Sequence, residues 1–141
     1  MRRICQADLA RELGCGEMTL HRIAKAMGCN GQPLSDLDAT MILVHSELAK
    51  LQRLDWSACI KIVAELSAEI RYVAADRTRH CWLAFIENEH GNHRLVAHTA
   101  RHLESLLGAF PFSAVLAVHE LVGRAVERLG ALQAKKTQEA A

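Results

Sequence analysis

The chain has 141 residues, 50% of them hydrophobic, which is enough apolar mass to bury a core and excludes wholesale disorder. Aromatics are 4%, and only two Pro and eight Gly punctuate a chain rich in Ala and Leu, which favours helix and excludes a β-sandwich or barrel. Seventeen Lys and Arg against 16 Asp and Glu leave a formal charge of +1, so any nucleic-acid site must be a local patch.

Residues 6–13 (QADLAREL) carry Leu9, Ala10 and Leu13 on one helical face. Gly14-Cys15-Gly16 breaks that helix. A second, over 17–27, places Leu20, Ile23, Ala24 and Met27 inward, and residues 28–33 form a turn-rich connector. Ser35 with Asp38 resembles a capping box opening a third helix, which reaches about Leu54 with Ile42, Leu48 and Leu51 inward. Asp55 caps a fourth helix over 56–74, carrying Trp56, Ile60, Val63, Leu66 and Ile70.

After Asp76 the pattern changes. Two bulky runs, 81–87 and 93–98, flank a polar turn (Glu87–Asn92) in which Gly91-Asn92 is a hairpin signal, and predict a β-hairpin. Residues 100–108 predict a helix. Val115, Val118, Val122, Ala125 and Leu129 fit either one long helix or a strand entering a helix near Glu120. The second reading is preferred because a two-stranded hairpin alone is marginal. Residues 134–141 (AKKTQEAA) read as a flexible, solvated tail. The expected fold is mainly α, with an N-terminal helix-turn-helix unit over 1–75. A small α+β module over 77–133 contains the hairpin and serves dimerisation or partner binding.

Residues 6–27 carry the strongest functional signal. Two short helices meeting at a sharp angle need a compact joint. Gly14 allows φ > 0 there, and Ala10 is small enough for the second helix to cross closely. Leu9, Leu13, Cys15, Leu20 and Ile23 fill the wedge, as in a helix-turn-helix. The segment QADLARELGCGEMTLHRIAKAMG resembles the helix-turn-helix of bacterial and phage transcription regulators. Its form is most similar to the winged-helix mercury-resistance-regulator (MerR) type, and a weaker likeness continues through residues 34–66. The resemblance implies a winged DNA-binding domain. The connector at 28–34 is shorter than the family's wing and lacks its Arg-x-x-x-Gly-Tyr-Arg signature, and Ile23 stands where the family usually has Tyr.

In such a motif the second helix enters the major groove. Its base-reading residues would be Glu17, Met18, Thr19, His21, Arg22 and Lys25, with Arg22 suited to guanine and Glu17 to cytosine N4. Arg2, Arg3 and Arg11 would contact phosphates. Residues 1–34 carry five Lys and Arg against three Asp and Glu, a small excess of the right sign.

Other constellations are weaker. His98 and His102 are four apart, as metal ligands on one helical face would be, but a strand over 93–98 breaks that geometry. A nucleophilic Cys needs an oriented base within reach, and Cys81 beside His80 is adjacent in sequence, which places the two side chains apart. No phosphate-cradling loop, HExxH or GxSxG occurs. No enzyme activity, metal or cofactor is expected. Five cysteines are an odd number without a C-x-x-C, which fits reduced thiols of the cytoplasm. The N-terminus is charged too early for a signal peptide. The uncharged run from Ser105 to His119 is too short and interrupted to span a membrane.

The sequence therefore predicts sequence-specific double-stranded DNA binding by a small bacterial, phage or mobile-element regulator acting as a homodimer. A protein-interaction module (an inhibitor or adaptor on the same scaffold, its partner held through 77–133) is the alternative, as is a small DNA-packaging accessory protein.

Overall fold

The leading pair of helices is closed at both ends by local hydrogen bonding. In the computed structural model, which describes residues 3–52 and 55–140, α1 spans Gln6–Leu13 and α2 Glu17–Ala26. Cys5 caps α1: its backbone N–H donates to Asp8 Oδ2 at 2.8 Å and its thiol to the same oxygen at 3.0 Å. A cysteine thus takes the place usually held by Ser or Thr in a capping box. Gly14 ends the helix in the left-handed region at φ 67°, ψ 32°. Cys15 N–H then reaches back to the Ala10 carbonyl at 3.0 Å.

Helix α3 (Asp36–Gln52) opens where Ser35 Oγ accepts from the Asp38 N–H at 3.0 Å. From Ala39 to Ser46 every residue of α3 is buried, so it is a core helix rather than an amphipathic one. Its buried polar groups all find partners. Thr40 Oγ1 donates to the Asp36 carbonyl, His45 Nε2 to the Trp56 carbonyl, and Ser46 Oγ accepts from Arg128. Leu51, expected inward, is 49% exposed, and Leu54, the expected end of the helix, lies outside the described residues.

The single helix expected over 56–74 is two. Asp55 caps α4 (Trp56–Glu65) by accepting from the Ala58 N–H at 2.7 Å, but Leu66 leaves the helical basin at φ −91°, ψ 8°. A new helix, α5 (Ser67–Ala75), follows. Val63, Leu66, Ile70 and Val73 are all buried, so the apolar period runs across the break and hides it. Trp56, which opens that apolar period, is 39% exposed, and its ring meets His45 edge-to-face with centroids 5.6 Å apart.

Strands β1 (Trp82–Asn88) and β2 (Gly91–Ala97) form the hairpin. Asn88 pairs with Gly91, so the turn is centred on Glu89-His90, inside the polar stretch 87–92, and Gly91-Asn92 opens β2. Asn88 Oδ1 accepts from the His90 N–H at 2.9 Å, a side-chain turn that supports the reversal at this point. Helix α6 covers Ala100–Ala109 and strand β3 Ala114–Ala117, giving an antiparallel sheet of order β2-β1-β3. Helix α7 follows at once, over Val118–Glu139.

The chain divides into two units. One comprises 1–68 with 121–141 and the other 69–120. This corrects the boundaries read from the sequence at 75 and 133: most of α7 belongs with the N-terminal unit. It also corrects the flexible tail expected over 134–141, because α7 is helical to Glu139 and Lys136 Nζ binds Asp8 Oδ2 at 2.6 Å.

The fold is mainly helical with a small antiparallel sheet. The connector at 28–35 contains no strand, so it forms no wing of the kind the MerR-type resemblance implied.

Candidate nucleic-acid interface

The α1–α2 joint separates two faces of α2. Leu20, Ile23 and Ala24 are buried, as are Leu9 and Ala10 on α1. Leu13 and Cys15, expected deep in the wedge, are only half-buried at its rim. The opposite face presents Glu17, Met18, Thr19, His21, Arg22 and Lys25, all exposed, with Met18 at 74%. Side-chain burial at spacings of three and four forces this division: once Leu20, Ile23 and Ala24 turn inward, positions 18, 21, 22 and 25 must turn outward.

Gln6 from the start of α1 joins Glu17, Met18, His21 and Arg22 around a shallow, open hollow. Among the described residues, no ion pair engages Arg22 or Lys25, so their charges remain available to a ligand. Gly16 precedes α2 without a side-chain cap, which leaves the first-turn N–H groups of that helix open.

The three expected phosphate-binding arginines differ in their surroundings. Arg2 lies outside the described residues. Arg3 is exposed, and its carbonyl accepts from Lys136 Nζ at 2.8 Å. Arg11 is exposed too, but its guanidinium is paired with Asp8 Oδ1 at 2.6 Å. A phosphate would have to share that cation with a carboxylate.

Sequence reasoning missed the basic residues of α7. Lys135 and Lys136 line a hollow with Ile4, Asp8, Arg11 and Glu12 of the α1 region. The signal was present: the stripe Val122, Ala125, Leu129, Leu132 continues at helical spacing up to the start of the expected tail at 134. Asp8 is the hub of this corner. Burial pushes its carboxyl pKa up, but hydrogen bonds from the Cys5 thiol and N–H and from Lys136 outweigh that and hold it well below the usual carboxylate range.

The other constellations separate in the structure. His98 precedes α6 and sets its ring edge on Tyr72 at 5.0 Å, while His102 lies within the helix. Cys81 is fully buried, and burial with the nearby Glu69 charge raises its thiol to about 11, which makes it inert as a nucleophile at neutral pH. Its N–H donates to His119 Nδ1 at 3.1 Å, and the His119 ring meets the edges of His80 and Trp82 at 4.7 and 5.0 Å. All five cysteines are free thiols. Among the described residues no helix is long and apolar enough to cross a membrane.

Comparison of the chain with protein families, curated proteins and solved structures finds no match.

Proposed function

We propose that the protein binds double-stranded DNA through α2, as a plain helix-turn-helix without a wing. The observation that carries this reading is the division of α2. Its apolar side is locked beneath α1 by the left-handed turn at Gly14, while Arg22 and Lys25 stand exposed beside His21 and Glu17, with no ion pair among the described residues. Such a helix can enter a major groove without rearranging the unit that carries it. Arg22 is the residue suited to bidentate contact with guanine, and Arg3 to a flanking phosphate. Two copies on a two-fold site would add their weak contacts through effective concentration, which suits a chain with a net charge of only +1. A small cytoplasmic regulator of bacterial or phage type is the biological role this reading suggests.

Selection of bound duplexes from a random pool tests it, followed by the salt dependence of affinity for the winning site. A protein neutralising several phosphates loses affinity steeply as salt rises. Failure to retain any duplex at low salt would favour the second reading, a protein-interaction module. The observation favouring that alternative is Met18, 74% exposed at the centre of the same face, since methionine suits adaptable protein contacts.

A further inference from the structure

We propose that the outer edge of β3 pairs with β3 of a second copy of this chain, forming an antiparallel homodimer. The inference stands on the sheet alone and does not depend on DNA binding.

The sheet order β2-β1-β3 leaves β3 with one neighbour. Its hydrogen-bonding phase is fixed by the Val118 N–H, which donates to the Cys81 carbonyl at 2.9 Å, and by the pairing of Leu83 with Leu116. Backbone groups alternate along an antiparallel strand, so Ala114 and Leu116 face β1, and Val115 turns its N–H and C=O outward. Val115 is 39% exposed, and the turn just before β3 holds Phe112 at 99% exposure. Leu95, paired through Ala84 to the same sheet face as Val115, is 36% exposed.

Charge separates the two edges of this sheet and selects the occupant. Exposed edges in monomeric proteins are guarded by charges, prolines within the strand, or bulges. The β2 edge has such a guard in the exposed Arg94. The β3 edge has none: residues 105–118 contain no charged side chain, and Pro111 lies outside the strand. A charged partner would set unpaired charges against this edge. A second copy brings an equally uncharged strand, so no like charges meet across the ladder, and it supplies a second Phe112 to the apolar patch. Antiparallel self-pairing is two-fold symmetric and uses up both β3 edges, so assembly stops at the dimer. A four-residue strand and its flank make a small interface, below the roughly 1,200 Å² of stable complexes. Association therefore belongs in the micromolar to millimolar range.

The test is sedimentation equilibrium of the full chain without DNA, over a concentration series spanning that range. The average mass should rise from 15.6 kDa and level off at twice that value. Val115→Lys should weaken association by about tenfold or more, with an unchanged unfolding transition. Phe112→Ser should weaken it as well, and a side chain this exposed contributes nothing to the fold, so this variant keeps the test decisive if the lysine variant unfolds. A constant monomer mass at every concentration would overturn the proposal. So would a dimer that both substitutions leave intact, or growth past two copies.

Discussion

Arg128 on α7 grips Glu12 on α1 through an Nε–Oε1 ion pair of 2.7 Å. The same guanidinium donates to Glu47 Oε1 at 3.0 Å and to Ser46 Oγ at 3.2 Å, both on α3. One side chain, only 16% exposed, therefore ties three helices that lie far apart in sequence. With Lys136 on Asp8 and Gln133 on Asp36 at 3.1 Å, it makes α7 part of the unit that carries the candidate interface.

Arg128→Ala should destabilise the protein by about 2–4 kcal/mol, because it leaves Glu47, itself largely buried, without its cation. Arg128→Lys should recover only part of that loss, since an ammonium lacks the planar fork that serves several acceptors at once. Urea unfolding of the three proteins measures both effects.

A fragment ending at residue 76 should not fold. It lacks 121–141, which belong to its own unit and include Leu129, only 5% exposed, along with Arg128 and Lys136. Dispersed amide resonances from such a fragment would show that α7 is dispensable.

Gly14→Val should cost clearly more than about 1 kcal/mol, the centre of the distribution for single mutations. The cause is the backbone: a Cβ at Gly14 meets nothing within 4 Å, but φ is +67°, and a β-branched residue resists that region. Gly14→Asn should lose much less, because Asn tolerates the left-handed conformation. Equal unfolding midpoints for the two variants would contradict this account.

Arg22→Ala should leave stability unchanged, because the side chain is exposed and makes no ion pair within the described structure. Its cost should fall on DNA affinity, about 1–3 kcal/mol, with relaxed preference at one position of each half-site. Duplex selection with the variant reads both quantities.

Two groups shape the acid limb of stability in separate windows. His45 is 2% exposed, and burial lowers its pKa, an effect only partly opposed by its hydrogen bond to the Trp56 carbonyl. Its contribution is complete above the unfolded value of about 6.5 and is lost as pH falls through the lowered folded value. Asp8, held well below its ordinary range, contributes fully above about 3.9 and loses that contribution as pH falls further. His45→Gln should therefore flatten the decline that starts near neutrality. Asp8→Asn should be less stable at neutral pH and show a shallower decline in strong acid. Denaturation midpoints across pH distinguish the two.

The sequence by itself determined the features that rest on local physics. Helical spacing of apolar residues marked α1 and α2 and separated their buried and exposed faces. Ser35 and Asp55 announced the starts of α3 and α4, because a capping oxygen bonds a backbone N–H only three residues away. Alternation and turn residues located the hairpin, and the need for a third strand selected β3 before α7. What only the tertiary structure decided are the features that depend on distant partners. The break at Leu66 carries no Gly or Pro, and the apolar period runs straight through it. The turn at Glu89-His90 depends on which strand residues pair. Above all, Lys136 reads as solvated charge, and Arg128 carries no signal, until Asp8, Glu12 and Glu47, more than 80 residues earlier, come within reach. A charged side chain has no periodic signature of its own. Whether it faces water or an opposite charge is set by contacts that no short stretch of sequence contains.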